Sequence, residues 1–146
     1  PASARFPPPP LFRSPPPPLC PGLRPRSSMI PMFLPTPHGH FAGGIGSAGG
    51  SAILAYVGKS LIAAVDWGLP MQAAIAAPNL VARGPSFNGE VTKFSPAILA
   101  ELAARGIDLK PGQGEDSGVQ GVLIREGKID GGYDPRREGV VLVMPH

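Results

Sequence analysis

Two blocks of four consecutive prolines, Pro7 to Pro10 and Pro15 to Pro18, restrict this chain more than any other feature of it. A proline ring fixes φ near about −65° and removes the backbone donor, so neither block can enter a helix interior or a central strand. Residues 1–20 are therefore expected to be extended polyproline II or disordered, serving as a linker or lying outside the natural fold. A proline-recognition module could also take such a segment as its ligand. From Pro21 onward the texture changes, and residues 21–146 are expected to form one domain with a modest core.

Charge excludes one class of partner. The net charge is +3, but charged residues make up only 16% of the chain and gather into no dense Lys/Arg patch, so nucleic acid is not expected as a partner. Cys20 is the only cysteine, which rules out an intrachain disulfide and a cysteine-based zinc cluster. His38 and His40 have no Asp, Glu or Cys close by in sequence, so no metal is assigned, and no cofactor either. The stretch from Phe41 to Gly58 is uncharged, yet Lys59 and Asp66 interrupt its continuation and half of it is glycine-rich, so no membrane span is expected. Proline runs stand where a signal peptide would place an apolar stretch.

A second feature has chemical content. Residues Gly43-Gly44-Ile45-Gly46-Ser47-Ala48-Gly49-Gly50-Ser51 read as a glycine-rich elbow opening onto an apolar helix. A helix start leaves about four N–H groups unpaired and carries partial positive charge, and glycine removes the Cβ atoms that would keep an oxygen away from them. Such an elbow suits a phosphate, a carboxylate or the oxyanion of an acyl-transfer intermediate. Gly44-x-Gly46-x-x-Gly49 with Asp66 downstream also satisfies the dinucleotide-binding pattern. Its context argues against it, because residues 35–42 are too polar and broken for the buried strand that should precede the glycines, and Asp66 falls within a helical run.

The remaining pattern alternates short strands and helices. Met29 to Leu34 reads as a strand weakened by Pro31, Ser51 to Trp67 as a helix buried on most faces and ended by Gly68, and Leu69 to Ala77 as a second helix with Pro70 in its first turn. Gly89 to Phe94 has strand character. Ser95 caps a third helix with Pro96 at its first position and an apolar stripe of Ile98, Leu99 and Leu102. Val119 to Arg125 and Lys128 to Tyr133 form a hairpin through Glu126-Gly127, and Val140 to Met144 could add a strand. The sum is a mixed α+β layer structure with an antiparallel element.

Five blocks in order carry a family resemblance: Pro21 to Pro31 with Ser27-Ser28-Met29 inside it, Gly46-Ser47-Ala48-Gly49-Gly50-Ser51, Asp66-Trp67-Gly68-Leu69 with Ala74 to Pro78, Phe94-Ser95-Pro96, and Asp134-Pro135-Arg136-Arg137. From about Pro21 to His146 the chain resembles the C-terminal part of the small subunit of γ-glutamyltransferases, also called γ-glutamyltranspeptidases. The resemblance implies part of an N-terminal-nucleophile hydrolase fold, an αββα sandwich. It also implies γ-glutamyl transfer or hydrolysis on glutathione or related compounds, with water, amino acids or peptides as acceptors. Ser27 and Ser28 would hold the α-carboxylate of the glutamyl group, and Gly49 and Gly50 would offer backbone amides to the tetrahedral oxyanion.

In that family the nucleophilic Thr lies upstream of the Ser-Ser-Met motif, where this sequence has proline repeats; Thr36 and Thr92 are its only threonines and neither matches. The resemblance therefore implies a chain that is inactive alone and whose partners are the large subunit and the upstream part of the small subunit, with a periplasmic or extracellular location. Two other readings are a non-catalytic remnant that assembles with a complementary fragment and a related acylase of the same superfamily. The Ser-Ser-Met block, suited to an amino-acid carboxylate, argues against the second.

Overall fold

The computed structural model describes residues 30–112 and 116–142. Along the chain come β1 (Met32–Pro35), β2 (Phe41–Gly46), α1 (Ile53–Val65), α2 (Met71–Ala76), β3 (Leu80–Arg83), β4 (Ser86–Gly89), α3 (Pro96–Ala104), β5 (Leu109–Pro111), β6 (Gln120–Arg125) and β7 (Lys128–Tyr133). One sheet has four antiparallel strands in the order β1-β2-β6-β7. The other has three, β3-β4-β5, in which β4 and β5 run parallel and α3 makes the crossover.

Turn chemistry sets much of this. Glu126 and Gly127 both have positive φ, 51° and 74°, which is the two-residue turn whose twist matches the strands it joins, and it fixes the register Arg125 opposite Lys128. Ser95 Oγ accepts a hydrogen bond from Ile98 N to start α3, with Pro96 in its first turn. The chain leaves α1 through Gly68 at φ 69°, with Leu69 N donating to Ala63 O at 3.0 Å to close the helix end.

The glycine run corrects the sequence reading. Gly43, Gly44 and Gly46 belong to β2, so only Ser47 to Gly50 forms the turn into α1. The reason is a long-range contact: a Cβ on Gly43 would stand 2.6 Å from Leu123 Cδ2 and 2.5 Å from Val122 O on β6. The first glycine therefore serves sheet packing rather than a loop. The strand so formed is antiparallel to both neighbours and the polar segment 36–40 is the turn that precedes it, closed by Thr36 and His40. The dinucleotide pattern thus has no parallel βαβ unit around it.

The core lies between the four-stranded sheet and the two helices. Ile53, Tyr56, Val57, Ala63 and Ala64 of α1 and Met71, Ala74 and Ile75 of α2 pack on Ile45, Val81, Val119 and Leu123. Glycine again permits close approach, since a Cβ on Gly132 would meet Gln72 N and one on Gly121 would meet Met71 Sδ. Only one face of α1 is covered, however. Leu54 and Trp67 are 69% and 66% exposed, and Ile62 and Val65 are exposed too, so the helix is not buried on most faces as expected. It belongs to an outer layer, with the sheet on its inner side only.

Three further readings change. Residues 89–94 are the end of β4 followed by a tight turn at Val91–Lys93, because Glu90 is turned inward and its N–H donates to Asn79 O. The apolar stripe of α3 is only half-buried at Leu99 and Leu102, with Ile98 exposed. Residues 140–142 form no strand, and 143–146 lie outside the described residues. The expected head over residues 1–20, Cys20, Ser27 and Ser28 also lie outside them.

Candidate functional site

Ser47, Ala48, Gly49 and Gly50 carry the chain from β2 into α1. Gly49 has φ 124° and ψ 25°, and Gly50 has φ 54°, both in the half of conformational space that glycine enters without strain. Gly49 is buried, and a Cβ there would stand 2.7 Å from Tyr56 Cε2 and 3.3 Å from Asp116 O. Gly49 O accepts from Ala52 N at 3.1 Å, which closes the first turn. Ser47 Oγ donates to Ala48 O and accepts from Gly118 N at 3.2 Å. The loop is thus held from below by Tyr56 and from one side by residues 116–118. Burial and then the nearby Asp116 push the Tyr56 phenol up to about 12, so it stays neutral.

Residues 116–118 are held in turn by the Asp134-Pro135-Arg136-Arg137 run. Asp134 Oδ2 accepts from Ser117 Oγ and from Val119 N at 3.1 Å, while Oδ1 accepts from Arg136 N and Nη1, both at 3.0 Å. Ser117 Oγ accepts from Asn79 Nδ2 at 2.9 Å. Arg137 donates to Asp116 O and Ser117 O, and its side chain fills the space a Cβ on Gly118 would need. Burial would raise the Asp134 carboxyl, but the hydrogen bonds from Ser117, Arg136 and Val119 outweigh it and lower the pKa.

Arg136 links this cluster to the helices. Only 6% of its side chain is exposed, and it pairs with Glu90 as well as Asp134. Its guanidinium also donates to Ile75 O and Ala77 O at the end of α2, where Lys59 Nζ donates to the same two carbonyls at 2.9 and 2.8 Å. Burial, followed by the Arg136 charge, brings the Lys59 ammonium down to about 8. Burial would raise Glu90, yet hydrogen bonds from Arg136, Lys93 and Asn79 N carry it down to about 2. The sequence marks the Asp134 block but not its partners Asn79, Glu90 and Ser117. Their one sequence signal is an acidic and an amide residue close to an apolar run, which solvated loops show as often.

Of the predicted site residues, Gly49 and Gly50 stand together at the head of α1, while Ser27 and Ser28 lie outside the described residues. Pro31 comes to the end of β2 from which the glycine loop leaves, its Cα 3.9 Å from the Cβ position of Gly46. Asp66 caps the C-terminal end of α1, away from the glycines. Among the described residues no three His, Cys, Asp or Glu side chains gather as a metal site, and no helix is long and apolar enough to cross a membrane.

The described geometry can be set beside known proteins. The family model described as Gamma-glutamyltranspeptidase matches residues 10–144. The highly active W525D mutant of γ-glutamyltranspeptidase from Pseudomonas nitroreducens superposes with a TM-score of 0.73 at 27% identity, covering 88% of this chain and 68% of that one. The Bacillus anthracis transpeptidase CapD gives 0.68 at 26% identity, covering 86% and 76%. The T380A mutant of the Helicobacter pylori γ-glutamyltranspeptidase shares the fold, with a TM-score of 0.69 at 22% identity over 82% of this chain and 66% of that one. No curated protein sequence matches the chain.

Proposed function

Because the chain belongs to the γ-glutamyltranspeptidase family, whose fold it shares and whose substrates are γ-glutamyl compounds, we propose that it supplies the oxyanion side and the carboxylate side of a γ-glutamyl-transfer site. Gly49 and Gly50 give backbone amides to the oxygen that becomes negative when a nucleophile attacks the γ-amide carbonyl. Ser27 and Ser28 take the α-carboxylate of the glutamyl group through hydroxyl and backbone donors. The nucleophile, an N-terminal Thr whose own amine serves as base, comes from the upstream part of the small subunit, and the large subunit completes the site. The donor is glutathione or a related compound, and the acyl group passes to water, an amino acid or a peptide.

The observation that carries this reading is the pair of positive-φ glycines at the head of α1, one of them packed so closely on Tyr56 that no side chain fits.

The test is complementation. The chain is co-expressed with an upstream family segment that begins at the nucleophilic Thr, together with the large subunit, and hydrolysis of a chromogenic γ-glutamyl anilide is followed. The assembly turns over and the chain alone does not; Gly49→Ala keeps the amide, but its Cβ meets Tyr56 and moves the amide off the oxyanion position, so in an assembly that still forms kcat falls by about 10²-fold with a smaller change in KM. Turnover by the chain alone would overturn the placement of the nucleophile, and unchanged kcat in Gly49→Ala would overturn the oxyanion role. A folded but inactive assembly would leave the chain as a non-catalytic assembly piece, a reading favoured by the exposed Phe33, Phe41 and Leu142.

A further inference from the structure

Four of the five described arginines have a carboxylate or a carbonyl within ion-pair or hydrogen-bond distance, Arg105 the most loosely at 3.9 Å. Arg105 faces Glu101, Arg125 pairs with Asp130, Arg136 pairs with Glu90 and Asp134, and Arg137 donates to Asp116 O and Ser117 O. Arg83 is the exception. Among the described residues its side chain has one partner, Ser51 Oγ at 2.8 Å, and no carboxylate within ion-pair distance. An arginine carries five N–H donors in a planar fork, so most of the Arg83 fork is unengaged.

Its position makes this informative. Arg83 is the last residue of β3, held at the mouth of a two-residue turn, Gly84-Pro85, in which Gly84 takes φ 57° and Arg83 stands opposite Ser86. From there it reaches across to Ser51, the residue that follows Gly50. Its charge also acts on Tyr56, the ring that lies under Gly49, where it opposes the effect of Asp116. An exposed guanidinium therefore stands at the edge of the glycine loop, anchored by one hydroxyl and offering its remaining donors to solvent.

We propose that Arg83 binds the terminal carboxylate of the peptide on the amine side of the reaction, the short peptide that leaves from the γ-glutamyl donor or attacks as acceptor. This rests on the oxyanion reading of Gly49 and Gly50. The amine side of the scissile amide must lie beside the oxyanion donors, and a peptide leaving group or acceptor carries one carboxylate a residue or two from that amine. A planar guanidinium matches such a group with two parallel hydrogen bonds, as a lysine does not. Arg83 is then a specificity-determining residue that favours peptides with a free C-terminus over their amides.

The probe is glycylglycine, compared with glycylglycinamide, titrated into the isotope-labelled 146-residue chain while amide NMR resonances are followed. Glycylglycine shifts the Gly50 and Ser51 resonances, the amide probe shifts them at least about tenfold more weakly, and added salt reduces the difference. Arg83→Ala abolishes the preference and Arg83→Lys restores part of it, whereas Ser51→Ala, which removes only the anchor, keeps it. Equal binding of the two probes, or an unchanged preference in Arg83→Ala, overturns the proposal. A γ-glutamyl probe, γ-glutamylglycinamide, separates the two readings. If it leaves Gly49 and Gly50 unmoved while glycylglycine still binds through Arg83, the oxyanion reading fails and the carboxylate site stands.

Discussion

At the scale of single residues, the candidate site depends on ionised groups that are nearly out of water. Glu90 is held at about 2 against its usual 4.5, so the folded chain binds fewer protons there than the unfolded chain between those values. Its contribution is complete above about 4.5 and is lost as pH falls through about 2. Lys59 works in the same direction at the other end. With a folded pKa of about 8 against 10.5, the unfolded chain binds the extra proton between those values, and stability rises with pH across that window. Urea unfolding at a series of pH values is expected to show both slopes. Glu90→Gln should make the acid limb shallower without removing it, because the Asp134 carboxyl is lowered too, and should leave the alkaline limb; an acid limb of unchanged slope would show that Glu90 does not contribute to it.

Elements are where sequence and structure diverge most usefully. The β6-β7 hairpin was legible because Glu126-Gly127 carries its own turn geometry, and α3 because Ser95-Pro96 carries its own cap. The start of β2 was not, because Gly43 is in a strand for the sake of Leu123, eighty residues away in sequence. Strands β3 and β4 were not, since four-residue strands show too little alternation and are paired by a turn and an inward Glu90 rather than by pattern. Of the site, the glycines were legible as a type of loop, whereas Asn79, Ser117 and Arg83 acquire meaning only from what the fold brings to them. The hairpin also makes a testable contact. Asp130 on β7 accepts from Met71 N at the start of α2 and pairs with Arg125, whose Nη2 donates to Ala64 O and Leu69 O at the end of α1. Asp130→Ala is expected to cost about 1 kcal/mol, as loss of a helix cap does, and to speed amide exchange at Met71 and Gln72 most. Uniform acceleration across α2 and α3 alike would show that the contact is not local.

On the scale of the whole molecule, the described residues place helices α1 and α2 on one face of the four-stranded sheet and leave most of the other face bare, with Val141 packed on Gly131 of β7. That bare face forms an apolar groove of about 720 Å³ bounded by Met32, Phe33, Phe41, Ile129 and Val140 and reaching Gly46, where the glycine loop begins. Phe33 is 79% exposed and Leu142 84%, and the rings of Phe33 and Phe41 meet edge to face 6.1 Å apart. This chain spans 68% of its Pseudomonas relative; on the proposed function, the strands of the upstream segment would lie in this groove, as a second sheet packs on the first in a sandwich. Those strands would bring the nucleophile in beside the loop as they cover the groove, which couples assembly to completion of the site. The chain alone should therefore bind an anilinonaphthalenesulfonate dye with strong fluorescence, and co-expression with the upstream segment should quench most of it. Phe33→Ser with Phe41→Ser should reduce the fluorescence of the single chain and weaken capture of the segment together. If the double substitution removes dye binding but leaves capture intact, the segment joins through the free edge of β1 instead, and the groove is not its seat.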